Sequence, residues 1–262
     1  MATAVTRNGR CPSPASICDA RLNLLGGFSL VVDGEPCDVA DSCKRLLVFL
    51  ALNHGPQPRP VVAGMLWPNS TENRASANLR SLLWRLPEPS GLPLVSIAGA
   101  SLRLSGHLDV DVHVLEATGW ALIRDPNTVV DDVDPTVLLL ELLPDWYEDW
   151  VLFERDRLAQ LRFHFLEALA YALIKRGRVP EALDVALRLV KADPLRECSQ
   201  RALLAVHCAE HNIGQARRQL ERYRKLVHQT FGCEPSPSLS AMIAKRTSAR
   251  GVPTIAARGV RT

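Results

Sequence analysis

Among the 262 residues no apolar run reaches the roughly 18 to 20 needed to cross a bilayer, and the first twenty residues lack the apolar block of a signal peptide. A membrane span and secretion are therefore not expected, and the reading is cytoplasmic. The cysteines, at 11, 18, 37, 43, 198, 208 and 233, form no CxxC pair and stand at no zinc-like spacing from two histidines. Reduced thiols that serve packing follow, with no metal. Also missing are GxxxxGK(S/T), GxGxxG, HExxH and GxSxG, which removes the phosphate-cradling, metalloprotease and hydrolase signatures. The histidines are scattered, and the carboxylates of Asp131, Asp132 and Asp134 fall in a proline-flanked connection without the fixed geometry that acid–base work requires. No enzyme activity and no cofactor are expected.

Net charge is also small, +3 from 31 basic and 28 acidic residues, so it names no partner; its distribution is more informative. Residues 41–106 carry Lys44, Arg45, Arg59, Arg74, Arg80, Arg85 and Arg103 against only Asp41, Glu72 and Glu88. Residues 116–262 hold 21 basic and 19 acidic side chains, a mixed surface suited to a solvated helical domain. With 47% hydrophobic residues the chain is ordinary globular protein, long enough for one large or two modest domains.

Residues 21–39 alternate Phe28, Leu30 and Val32 between the turn signals Gly26-Gly27 and Asp33-Gly34, which predicts short antiparallel strands. Helical spacing then predicts a helix from Lys44 to Asn53, a second near Pro60–Trp67 and a third from about Thr71 to Leu86. Leu94–Ile97 and Ser101–Leu104, separated by Ala98-Gly99-Ala100, read as a hairpin. Sheet, three helices and hairpin, in that order, are those of a winged helix-turn-helix. Beyond a polar connection over 124–135 the spacing predicts helices near Tyr147–Arg176, Pro180–Lys191, Pro194–Glu210, Ile213–Phe231 and Ser238–Thr247, with Pro180 and Pro194 at first helical positions and Asp193 as a cap. Leu173 and His207, Gly177 and His211, and Ala182 and Ala216 each stand 34 residues apart, the tetratricopeptide period. The expected architecture is an α+β N-terminal winged helix-turn-helix, with a small β-sheet and a β-hairpin wing, followed by an all-α tetratricopeptide-like helical domain.

Along the third helix, Arg74, Asn78, Ser81 and Arg85 fall within about 60° of one another at 100° per residue, while Ala75, Leu79, Leu82, Leu83 and Leu86 form the adjoining apolar stripe. Arginine can donate two parallel hydrogen bonds to guanine, asparagine can pair with adenine, and serine lets the helix sit close to the bases. These four are the candidate base readers. Arg80 and Trp84 lie on a flank, where Trp84 either rests against a sugar-phosphate backbone or completes the core under the hairpin, the second being favoured. Lys44 and Arg45 at the start of the first helix are either phosphate contacts or a solvated helix end. Arg103 is the candidate wing contact.

The segments LNLLGGFSLVVDGEP, CKRLLVFLALNHG, LWPNSTENRASANLRSLLWRL and SIAGASLRLSGHLDVDVHVLEA, then LLPDWYEDWVLFERDRL, ADPLRE (Ala192–Glu197) and FGCEPSPSL (Phe231–Leu239), resemble the Streptomyces antibiotic regulatory proteins over residues 20–245. These join a response-regulator-like winged helix to a bacterial transcriptional activator domain. Pro, Gly, Ser and Arg without periodicity predict disordered tails over 1–19 and 249–262, and the resemblance implies a DNA-binding domain over 20–115 and the activator domain over 116–248. It further implies a small-type activator of a secondary-metabolite gene cluster that binds direct repeats in double-stranded DNA near the −35 element, as a side-by-side dimer, and recruits RNA polymerase holoenzyme. Where that family commonly ends its third helix in a basic run, this chain has Leu86-Pro87-Glu88-Pro89. The competing reading is a helical-repeat adaptor, in which residues 140–247 bind a protein or small effector and the N-terminal half has only non-specific DNA affinity.

Overall fold

The computed structural model describes residues 20–125, 127 and 136–248. The expectations for both tails, for Cys11 and Cys18 and for the Asp131–Asp134 connection lie outside the described residues. Two compact units are present, one comprising Met1–His113 with Leu143–Asp145, the other Val114–Leu142 with Trp146–Thr262.

In the first unit the chain forms β1 (Ala20–Asn23), β2 (Ser29–Val32), β3 (Glu35–Pro36), α1 (Asp41–Leu52), β4 (Gln57–Pro58), α2 (Arg59–Leu66), α3 (Glu72–Trp84), β5 (Val95–Ala98), β6 (Ser101–Leu104) and β7 (Leu108–Val110). The strands make a four-stranded sheet in the order β3-β2-β1-β7 and a three-stranded one in the order β4-β6-β5. Side chains of β1 and β2 alternate inward and outward, with Leu22, Leu30 and Val32 buried, as period-two patterning requires. Helix α1 is buried from Leu46 to Leu52 without a break, which makes it the centre of this core. The hairpin turn is one residue tighter than its sequence suggested, because Ala98 pairs with Ser101 and leaves only Gly99-Ala100 in the turn.

A helix that the sequence reading did not place, α4 (Asp111–Arg124), follows β7 directly. Its first residue closes the N-terminal sheet: the Asp111 carboxylate accepts hydrogen bonds from the backbone N–H groups of Leu24 and Leu25, both at 2.9 Å, and of Val112 at 2.7 Å. Asp111→Ala would leave partly buried donors without an acceptor, so a loss of about 2 kcal/mol is expected. The check is the urea midpoint at unchanged slope.

The second unit contains α5 (Asp149–Lys175), α6 (Val179–Ala192), α7 (Glu197–Ala209), α8 (Ile213–Phe231) and α9 (Pro237–Ser248). The 34-residue repeat is visible in the backbone itself. Gly177 and His211 both adopt left-handed φ, 75° and 58°, at the turns that end α5 and α7. The next residues, Arg178 and Asn212, have nearly the same angles (−80°, 55° and −88°, 62°), and Ala182 and Ala216 are each fully buried one turn into the following helix. Left-handed backbone costs a histidine about 1 kcal/mol relative to glycine. His211→Gly is therefore expected to raise stability by about 0.5 kcal/mol after the entropy of the unfolded chain is allowed for, and Gly177→Ala to lower it by about 1 kcal/mol. Open space around Gly177 makes the second value a pure backbone effect, readable from paired thermal melts.

One expectation fails here. Pro194 does not open a helix: the Asp193 carboxylate accepts from the Leu195 N–H at 3.1 Å to form a turn, and α7 begins three residues later with Arg196 as its cap position. The segment is instead a staple. Arg196 stacks over the Phe163 ring at 4.3 Å and donates to Gln160, Leu195 O accepts from the Tyr223 hydroxyl, and Glu197 pairs with Arg201 while accepting from the Ser236 N–H at 3.1 Å. ADPLRE and CEPSPSL are thus held to each other.

Candidate nucleic-acid interface

Helix α3 follows α2 after the turn Trp67–Ser70, closed by the Ser70 N–H donating to Trp67 O at 3.1 Å. Thr71 occupies the cap position without a side-chain capping bond, and its carbonyl accepts the first helical bond from Ala75. Ala75, Leu79 and Leu82 are buried, so the apolar stripe faces inward and fixes the rotation of the helix. Rotation in turn sets the outward face. Arg74 and Ser81 are exposed, Asn78 is half-buried, and Asn78, Arg80, Ser81, Trp84 and Arg85 line one shallow concavity.

Arg85 lies just past the end of α3, in still-helical backbone, and its Nε donates to Ser81 O at 3.1 Å. The bond ties the guanidinium to the last turn of the helix, and the side chain is exposed. Among the described residues, Arg74, Arg80, Arg85 and Arg103 form no ion pair. Burial pushes the Cys43 thiol up, partly opposed by the Ser42 hydroxyl and the charge of Arg85, as suits a packing cysteine. Trp84 is 89% exposed, which overturns the expectation that it completes the core. A large indole on the rim of an arginine-bearing concavity suits stacking or apolar contact with a nucleic-acid backbone.

The hairpin β5–β6 is anchored beside these helices, since the Arg59 N–H, at the first position of α2, donates to Ala100 O at 3.0 Å. Arg103 is exposed on β6 opposite Ser96. Arg59 adds to the basic excess of residues 41–106. Among the described residues its Nε is buried without a hydrogen-bond partner.

The first helix starts three residues before its expected start. The Lys44 N–H already donates to Ala40 O, so neither Lys44 nor Arg45 stands at a free helix end. Lys44 Nζ pairs with Asp41 at 3.2 Å and with Asp38 at 3.9 Å, and lies 5.9 Å from the Phe28 ring centre. Its charge is largely answered within the protein. Among the described residues no group of histidine, cysteine or acidic side chains is placed to hold a metal ion, and no helix is long and apolar enough to cross a membrane.

Residues 136–245 match the bacterial transcriptional activator domain family. Among curated proteins none matches the chain. In the solved structures, Mycobacterium tuberculosis EmbR in complex with a low affinity phosphopeptide shares the fold with a TM-score of 0.69 at 18% identity, over 90% of this chain and 66% of that one. The present chain thus spans just under two thirds of that protein's length. Residues 136–245 thus carry a bacterial transcriptional activator domain, and the order of a small sheet-and-helix unit followed by a helical unit is the fold shared with that structure.

Proposed function

We propose that the chain is a sequence-specific DNA-binding transcriptional activator, with residues 20–115 as its DNA-binding domain and 116–248 as its activator domain. The observation that carries this reading is the outward face of α3: two arginines, an amide and a hydroxyl with no acidic side chain among them, on a helix whose other face is locked into the core. In this reading Arg74, Asn78, Ser81 and Arg85 face base edges in the major groove, Arg80 and Trp84 meet the sugar-phosphate backbone, and Arg103 carries the wing contact. Arg45 is a secondary phosphate contact and Lys44 a weak one, because Asp41 competes for it. Two protomers side by side on direct repeats near a −35 element, recruiting RNA polymerase holoenzyme to a secondary-metabolite cluster, complete the proposal.

Selection of bound genomic fragments by the full-length protein at about 150 mM salt, followed by sequencing, tests it. A short motif repeated at about one helical turn, roughly 10 to 11 base pairs, is expected. Affinity for that motif should fall with salt at a log–log slope of about −0.9 for each phosphate neutralised. Enrichment of no sequence would sink base reading and leave an electrostatic anchor.

A further inference from the structure

A groove of about 650 Å³ opens within the helical unit, outside everything the DNA-binding reading uses. One wall is Trp120 and Ile123 of α4, 42% and 40% exposed; the other is α5, where Leu161, Ala168, Tyr171 and Lys175 share one face. Their offsets of seven, three and four residues are those of a helix stripe that normally packs against something. The wall is also preformed, because the buried Phe165 ring meets Trp120 edge-on with centroids 5.6 Å apart.

The volume falls within the roughly 300–1,000 Å³ range of small-molecule sites. An α-helix about 10 Å across would fill it in about 8 Å of length, fewer than two turns, so a docked helix fits it poorly. Its chemistry is an apolar body with a polar end. Tyr171 makes no hydrogen bond through its hydroxyl among the described residues, and burial pushes its ionisation up to about 12, so it stays an O–H group that can donate. Lys175 has no ion-pair partner among the described residues, while Glu167 in the lining faces Arg201 at 3.6 Å, a cation it shares with Glu197. Among the described residues, Lys175 is therefore the charged group at the groove left without an ion-pair partner.

We infer that the α4–α5 groove binds a small amphiphilic organic anion, its apolar body between Trp120, Ile123, Leu161 and Ala168 and its acidic group on Lys175 and Tyr171. The site is independent of the DNA reading and stands or falls separately. The probes that test it are the anionic dye 8-anilinonaphthalene-1-sulfonate and its uncharged relative N-phenyl-1-naphthylamine, titrated by fluorescence into the full-length protein. The sulfonate should saturate a single site per chain and bind about tenfold tighter than the neutral dye, the scale of one charge-assisted contact. Lys175→Glu should remove that preference and leave the neutral dye unchanged; Ala168→Trp, which fills the groove, should remove both. Unchanged thermal melts confirm that each variant is folded, and the surface change at Lys175 keeps the test decisive if the tryptophan is not accommodated. Dye binding that survives Ala168→Trp in a folded chain, or a preference untouched by Lys175→Glu, overturns the assignment. So does a native chain that binds neither dye but sediments as a dimer that Ala168→Trp splits, since the occupant would then be a second copy.

Discussion

Replacing Arg74 and Asn78 together by alanine is expected to cost about 3–4 kcal/mol on the selected operator, several hundred-fold in affinity, and far less on a scrambled duplex at the same salt. Each residue can make a bidentate contact worth roughly 1–3 kcal/mol of discrimination, and contacts to separate base pairs add approximately. Neither side chain belongs to the packed stripe of Ala75, Leu79 and Leu82, so the melting behaviour of the double variant should stay within about 0.5 kcal/mol of the native chain. Fluorescence anisotropy with the two duplexes reads the difference directly. Equal losses on both would reassign these residues to phosphate and move base reading off α3. The rim residue Trp84 provides the internal contrast: backbone contacts carry no sequence information, so Trp84→Ala should weaken both duplexes alike.

How far the sequence could be read varies with where the determinants sit. Helix α8 was placed residue for residue because both its ends carry local signals: the Asn212 side chain accepts from the Gln215 N–H at 3.3 Å, and Gly232 ends the helix at a left-handed φ of 68°. The reading of α3 succeeded for a similar reason, since its period separates the buried leucines from the arginines within one helix. Pro194 misled because an aspartate–proline pair serves a turn as well as a helix start. Helix α4 was not legible at all. Its sequence, DVHVLEATGWALIR, contains three β-branched residues in the first eight and a central glycine, all poor helix formers; Asp111, bonded to a strand turn 86 and 87 residues earlier, and the packing of Gly119 supply what propensity does not. The exposure of Trp84 and the α4–α5 groove had no sequence signal either, because each depends on which neighbours the fold brings near. Lys44 shows the converse, since its partners Asp41 and Asp38 stand three and six residues before it in the chain, within reach of a sequence reading.

Gly119 gives the sharpest test of how the helical unit is held together, because two principles predict opposite signs for Gly119→Ala. Helix propensity alone favours alanine by about 1 kcal/mol at an interior position. Packing opposes it: a Cβ at Gly119 would stand inside the van der Waals radii of Phe165 Cγ, Cδ1 and Cδ2. The Phe165 ring is fully buried and already meets the Trp120 ring edge-on, so a shift away from a new Cβ must disturb its packing. Overpacking of this kind typically costs 1–3 kcal/mol, and more where a rigid ring meets rigid backbone. We expect a net loss of about 3 kcal/mol, a large share of the roughly 5–15 kcal/mol that holds an ordinary domain folded. Urea unfolding measures it, and Phe165→Leu in the Gly119→Ala background should recover part of the loss although Phe165→Leu alone destabilises the native chain. That reversal of sign in a double-mutant cycle would identify the clash as the cause. A stabilised Gly119→Ala variant would mean instead that α4 can stand further from α5, and the tryptophan wall that borders the groove would lose the rigid support on which a preformed binding site depends.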